Sequence, residues 1–147
     1  MGIVDEVQAA ATWMAAALTS SGYPADLSPT SLWDVERFFE EQTTAGAARP
    51  HGLLSDDLGG RLFGLGAYLG EVIRRDRGGV WSGDDSDPHA EVNIAVDLAD
   101  GSRIWPVQRV MKRFRNGPED NVAHYAFALG VAIGRGPAPR LRRPFPG

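Results

Sequence analysis

Cysteine is absent from the 147-residue chain, which excludes a disulfide-stabilised scaffold, a thiolate zinc site and a thiol nucleophile. Lysine is nearly absent as well, since Lys112 is the one lysine and arginine carries the remaining positive charge. No apolar run approaches the roughly 20 residues that cross a bilayer, and no basic segment precedes the first apolar stretch as in a secretory leader. We therefore expect a cytoplasmic protein that does not span a membrane.

What is present is the composition of an ordinary globular protein, with 43% hydrophobic and 23% charged residues. The length suffices for one compact domain and is short for two. We expect a single α+β domain over residues 1–135, followed by a flexible tail rich in proline and arginine over residues 136–147. The abundance of alanine, glycine and arginine is typical of a GC-rich bacterial genome.

The charges are divided unevenly along the chain. Residues 1–101 contain 17 acidic residues and 6 arginines, whereas residues 102–147 contain 9 basic and 2 acidic residues. Either the basic elements fold against the acidic ones, or a basic surface faces an anionic partner. We favour the first explanation, and the sequence leaves the second open.

Apolar residues recur at helical spacing in several segments, and start signals such as Ser28-Pro29 precede some of them. The predicted helices cover residues 3–20, about 29–43, 58–75, 106–115 and 119–134.

Three short segments predict strands. Val80-Trp81 begins one, residues 91–98 alternate between apolar and polar side chains, and residues 103–105 return after the hairpin signal Asp100-Gly101. The fold class that follows is α+β, with a small antiparallel sheet packed against a bundle of about five helices. We expect one face of the second strand to cover the glycine-rich helix. The side chains concerned are Val92, Ile94, Val96 and Leu98 on the strand, and Leu62, Leu65, Leu69 and Ile73 on the helix.

Five glycines interrupt the helix over residues 58–75, and an interior glycine costs about 0.5–1 kcal/mol relative to alanine. The segment from Gly64 to Gly70 is one residue too long for a dinucleotide fingerprint, no strand precedes it, and the chain lacks a Gly-Lys-Ser/Thr loop. We therefore interpret the glycines as sites where another part of the protein packs closely against the helix, and we expect no cofactor.

Glu71 is the candidate catalytic residue, because it stands among apolar neighbours on the same helix. A buried carboxylate has a raised pKa and can act as a general acid or base, with Tyr68 or Asp97 nearby. The alternative, which we favour, is a solvated carboxylate or one paired with an arginine such as Arg74 or Arg75.

Acidic residues crowd the segment from Asp84 to Glu91, but they do not follow a metal-binding template. Counted from Asp85, the sixth position of an EF-hand loop is Ala90 instead of glycine, and the twelfth is Val96 instead of glutamate. No histidine pair has the spacing of zinc ligands. We therefore expect an acidic surface turn and no metal.

The predicted helix after Trp105 is rich in basic residues, with Arg109, Lys112, Arg113 and Arg115. Aromatic and basic side chains together can bind single-stranded nucleic acid, to which the arginines of the tail would add. A solvated helix face, or one that pairs with the acidic part of the chain, is the alternative that we favour.

Three motifs stand out in the middle of the chain: the segment from Leu65 to Ile73, a Gly-Gly pair before Trp81, and a hairpin that leads into the segment from Trp105 to Arg113. In these motifs the chain resembles a bacterial family of small domains of unknown function. The resemblance covers roughly residues 58–119. It implies an α+β fold, no established activity, and one shared arrangement of several residues. These are Gly66, Gly70, Glu71, Trp81, Pro106 and Arg113.

Because no catalytic or cofactor motif is present, we expect a non-catalytic bacterial binding or accessory module that acts through a protein partner, of an immunity or regulatory type. Two alternatives stay open, a small enzyme that uses Glu71 and a nucleic-acid-binding protein that uses the basic helix and the tail. The oligomeric state is open. The candidate binding residues are Tyr68, Glu71, Trp81, Trp105, Arg109 and Arg113.

Overall fold

A computed structural model describes residues 2–137 of the protein and shows the predicted α+β fold, with helices around two small antiparallel sheets. The helices are α1 (Ile3–Ser20), α2 (Leu32–Gln42), α3 (Leu58–Arg77), α4 (Ala90–Asn93), α5 (Pro106–Asn116) and α6 (Val122–Ala128). The strands are β1 (Thr43–Thr44), β2 (Ala47–Ala48), β3 (Gly79–Ser82), β4 (Ala95–Leu98) and β5 (Arg103–Ile104). Residues 138–147 of the predicted tail lie outside the described residues. None of the helices formed by residues 2–137 is long and apolar enough to cross a lipid bilayer.

Helix α3 lies at the centre of the fold and packs mainly against α1 and α5. Its glycines make this packing possible, as predicted. A Cβ atom at Gly66 would lie 2.6 Å from the backbone Cα of Val107 in α5, and one at Gly64 would lie 2.6 Å from the Met14 side chain in α1. Gly59, in contrast, has no neighbour within 4 Å of its Cβ position. The two helices therefore approach α3 where side chains are missing.

Strands β3, β4 and β5 form a three-stranded antiparallel sheet in that order. Trp81 pairs with Val96 and Val80 with Asp97 between β3 and β4, whereas Asp97 pairs with Arg103 between β4 and β5. Alternation along each strand puts Trp81 and Val96 on the buried face and leaves Val80 on the outer face. The sheet packs against one side of α3, as expected, but α3 packs mainly against α1 and α5.

The predicted strand over residues 91–98 is wrong in its first half, which forms the helical turn α4. The Asp87 carboxylate accepts hydrogen bonds from the His89 N–H and the Asn93 amide, each at 2.8 Å. These side-chain bonds stabilise the turn against the extended conformation that the alternating pattern predicts. Val92 is therefore half-buried beside the sheet, and Ile94 is the first of the four predicted core residues to be fully buried.

The predicted last helix is too long, because α6 ends at Ala128. The Val131 N–H donates to the Ala126 carbonyl and the Gly130 N–H donates to the Phe127 carbonyl, while Gly130 adopts a φ of 92°. This is a Schellman motif, in which a left-handed glycine terminates the helix. The short β1–β2 hairpin between α2 and α3 is not among the predicted elements.

Candidate functional site

Glu71 is buried and accepts four hydrogen bonds. Arg74 donates from Nε and Nη2 at 2.8 Å each, Arg75 donates from Nε at 2.9 Å, and Trp81 donates from Nε1 at 3.0 Å. The bonds from Arg74 are the main cause that lowers the pKa of Glu71 to about 2, with those from Trp81 and Arg75 adding to them against the effect of burial. The alternative of an arginine-paired carboxylate is confirmed, and the raised pKa is wrong.

This carboxylate fixes the position of Trp81. The indole ring lies against α3 where Gly70 has no side chain, since a Cβ there would come into contact with the ring and would lie 2.8 Å from Pro106 Cγ. The ring is thus held between Glu71 at its nitrogen and the Gly70–Pro106 contact at its other end. The Trp81 side chain therefore anchors strand β3 to the core.

The outer edge of β3 is free of partners among residues 2–137. The Ala99 N–H donates to the Gly78 carbonyl at 2.9 Å, so the alternation of an antiparallel ladder directs the backbone groups of Val80 and Ser82 toward β4. The N–H and C=O groups of Gly79 and Trp81 point the opposite way, and no described residue bonds them. We call this row of backbone groups the β3 edge.

Two large apolar side chains are exposed at the three-stranded sheet, one on β3 and one just after β5. Val80 is 65% exposed on the outer face of the sheet, beside the Asp97–Arg103 ion pair, and Trp105 is 44% exposed just before α5. Trp105 adjoins Pro106, which contacts the same site on α3 as the Trp81 ring. Three of the predicted binding residues, Glu71, Trp81 and Trp105, therefore lie around one small region.

Tyr68 does not belong to this region. Its side chain is fully buried, and its hydroxyl accepts a hydrogen bond from the Leu27 N–H at 3.0 Å and shares one with Ser31. Burial raises the pKa of Tyr68, opposed by the bond with Ser31. Through these two hydrogen bonds, Tyr68 links α3 to the segment before α2.

Arg113 also lies apart from this region and is 1% exposed. Its Nε donates to both carboxylate oxygens of Glu36, at 2.9 and 3.2 Å, and its guanidinium lies 5.0 Å from the centre of the Phe39 ring. Glu36 also accepts from the Val122 N–H at 2.7 Å. Burial is the largest influence on the pKa of Glu36 and raises it, while Arg113 and the Val122 N–H act in the opposite direction.

Arg109 is half-buried and held within the protein. Its guanidinium lies 4.3 Å from the centre of the Tyr125 ring and 3.4 Å from the Asp120 carboxylate. Together with the Arg113–Glu36 pair, this contact shows that two of the four basic residues of α5 are used for internal packing. The expected pairing of the basic helix with the acidic part of the chain is thus confirmed for one residue, Arg113.

The acidic segment serves mainly to form turns and a cap. The Asp85 carboxylate accepts a hydrogen bond from the Ile3 N–H at 2.6 Å, and it thereby caps the start of α1 from 82 residues away. Asp84 and Asp87 bond neighbouring backbone groups. Asp85 and Asp87 also line an open cleft of about 740 Å³ with Glu6. Within residues 2–137, no group of three or more acidic or histidine side chains is arranged to hold a metal ion.

Sequence reasoning missed Trp13 and Phe127, which are 61% and 66% exposed. Trp13 borders an apolar cleft of about 150 Å³ between α1, α2 and α3. The sequence did indicate that Trp13 is exposed, because Trp13 lies on the polar side of the helical pattern. It does not share the spacing of the buried residues of α1, which include Val7, Ala11, Met14 and Leu18.

Comparison with protein-family models, curated proteins and solved structures finds no match for this chain. The resemblance to a bacterial family of unknown function therefore stays a prediction.

Proposed function

We propose that the protein is a non-catalytic binding module that acts through a protein partner, and that an extended segment of the partner adds to the β3 edge. The observation that carries this proposal is the row of unpaired backbone groups of Gly79 and Trp81. Such groups are a template for a further strand, whose main-chain hydrogen bonds supply affinity.

The composition of β3 supports this role. Natural proteins protect an exposed edge with charged residues, proline or a bulge, and the sequence Gly-Val-Trp-Ser has no charged residue or proline. Val80 adds exposed apolar surface on β3 itself, and the centre of a protein interface is typically apolar.

The hydrogen-bonded side chains of Glu71, Arg74, Arg75 and Trp81, which we call the Glu71 cluster, also support the proposed role of β3. Because Glu71 holds the Trp81 ring, the conformation of β3 is set before a partner arrives, and a preorganised site loses less entropy on binding.

The two alternative functions receive less support. A general acid requires a raised pKa and access to a substrate, whereas the pKa of Glu71 is lowered to about 2 and Glu71 lines none of four surface clefts of about 150–740 Å³ formed by residues 2–137. Nucleic-acid binding through α5 loses Arg113 to burial and Arg109 to internal contacts. The arginines of residues 138–147 lie outside the described residues.

Photo-crosslinking in the native host tests the proposal. A photoreactive amino acid replaces Val80 in one variant and Phe127 in a control, because the two side chains are equally exposed and lie on different elements. We expect the Val80 position to capture a specific protein that the Phe127 position does not.

The captured protein is then added to the unlabelled chain, and amide hydrogen exchange is measured. Strand addition slows the exchange of the Gly79 and Trp81 amides, to which no residue of 2–137 accepts a hydrogen bond. Equal capture from both positions, or unchanged exchange of these two amides, contradicts the proposal.

A further inference from the structure

The exposed side of helix α1 carries no charge after Glu6, since no charged residue occurs between Glu6 and Asp26. Five exposed residues of α1 recur at helical spacing opposite the core, between the exposed Gln8 and Thr19 on one flank and Glu6 on the other, and we call these five the α1 face. They are Ala9, Thr12, Trp13, Ala16 and Ser20. Surface helices normally carry charged or polar side chains on this side, and depletion of charge is a property of the centre of protein interfaces.

A protruding aromatic side chain and an apolar cleft adjoin each other on this face. Trp13 is 61% exposed, and it forms one wall of the cleft of about 150 Å³ that Phe38 and Leu53 also line. The side chains of Ala17 and Leu18 complete the α1 side of the cleft. The surface thus contains both a projection and a recess, as a self-complementary interface requires.

We propose that two copies of this chain associate through the α1 face, with their α1 helices antiparallel and the two-fold axis passing between Thr12 and Trp13. In this arrangement Ala9 of each copy faces Ala16 of the other, which lets the helices approach closely. The two Trp13 side chains meet on the side of the cleft, and the two Thr12 side chains meet on the opposite side of the axis.

The charges favour a second copy as the occupant. The chain has a net charge of −4, yet the α1 face is neutral. The exposed Asp5 lies one turn before Ala9 and, in the antiparallel arrangement, opposite the neutral Ser20 of the other copy, so no two like charges face each other across the contact. Glu6 is exposed near the beginning of α1, whereas Arg61 borders the cleft near its end. An antiparallel arrangement therefore brings Glu6 of one copy toward Arg61 of the other. A partner with a charged surface would lose hydration without gaining a counter-charge.

The size of the face sets the expected affinity. Helix α1 has 18 residues and is therefore about 27 Å long. A helix pair of this length with one cleft on each side falls below the roughly 1,600 Å² of a standard interface. We therefore expect a dimer with a Kd in the micromolar range, on the order of 1–100 μM.

Analytical ultracentrifugation of the whole chain, from low micromolar to submillimolar concentration, measures this association. We expect Trp13→Ala to weaken it at least about tenfold, because a central tryptophan is a typical interface hot spot. Phe127→Ala removes an equally exposed aromatic side chain from α6 and leaves the dimer unchanged. Val80→Lys also leaves it unchanged, so the outcome is independent of the partner at the β3 edge.

Disulfide formation tests the register, since the natural chain has no cysteine. We expect Thr12→Cys to form a covalent dimer rapidly under mild oxidation, whereas the exposed control Thr44→Cys does not. The proposal is overturned if the wild-type chain remains monomeric over the whole concentration range. It is also overturned if the two cysteine variants cross-link at the same rate.

Discussion

Two buried glutamates show how the same residue type acquires opposite properties. Glu71 receives four hydrogen bonds from three side chains, and its pKa falls to about 2. Glu36 receives its bonds from one arginine and one backbone N–H in a more deeply buried place, and burial raises its pKa. The direction of the pKa shift therefore depends on whether the hydrogen-bond donors outweigh the loss of hydration on burial.

Acid sensitivity follows from the Glu71 cluster. Because the folded pKa of Glu71 is about 2, below its usual value of 4.5, its pairing stabilises the protein above pH 4.5 and is lost as the pH falls toward 2. The shift corresponds to about 3 kcal/mol at most, and solvent around the half-exposed Arg75 reduces this. We expect Glu71→Gln to lower the free energy of unfolding by about 1–2 kcal/mol at pH 7 and by much less at pH 3.

Urea denaturation at both pH values checks this expectation. Glu119→Gln serves as the control, since Glu119 is an exposed carboxylate. An equal loss of stability for Glu71→Gln at pH 7 and pH 3 would contradict it.

At the scale of the elements, the packing of α3 depends on where its glycines lie. Gly66 is in contact with the backbone of Val107, which cannot move without moving α5. Gly59 lies in open space at the beginning of the same helix. The two positions therefore separate the effect of close packing from the effect of helix propensity.

We expect Gly66→Ala to lower the free energy of unfolding by about 1–3 kcal/mol, because the added methyl group overpacks the contact between α3 and α5. Gly59→Ala should raise it by up to about 0.5–1 kcal/mol, since alanine favours the helix and nothing obstructs its side chain. Thermal unfolding of both variants measures the difference. A similar effect of the two substitutions would show that the Gly66 contact contributes nothing specific.

The individual helices and strands also show which features sequence patterns predict and which they miss. The periods of α1, α2, α3 and α5 predict these helices well because each has a continuous apolar face. The alternation over residues 91–98 predicts a strand in error, because two bonds to one side chain of Asp87 form a helical turn there. The end of α6 was missed although Gly130 was visible, since a left-handed glycine becomes a stop signal only through its bonds to the preceding turn.

For the whole molecule, the Arg113–Glu36 pair connects the basic and acidic parts of the chain. Its residues are 77 positions apart, and the pair lies where α2, α5 and the start of α6 meet. A sequence signal existed, since both residues occupy positions on the apolar faces of their helices. The partner of each could not be predicted, because nothing local indicates that these two faces meet.

We expect Arg113→Met to lower the free energy of unfolding by about 3–5 kcal/mol, because it leaves the Glu36 carboxylate buried without its counter-charge. The double variant Glu36→Gln with Arg113→Met should be more stable than Arg113→Met alone, since glutamine still accepts from the Val122 N–H. Urea denaturation of the single and double variants forms the cycle that tests this. Additive losses would contradict a coupled pair.

The contact between Asp85 and the Ile3 N–H has a consequence for the order of events during translation. Helix α1 lacks a capping side chain at its own beginning, and the carboxylate that supplies the cap is synthesised 82 residues later. Until that loop leaves the ribosome, we expect the first turn of α1 to fray in water. Its final ordering then accompanies the arrival of the sheet, so the first turn of α1 should become protected from proteases later than the rest of that helix.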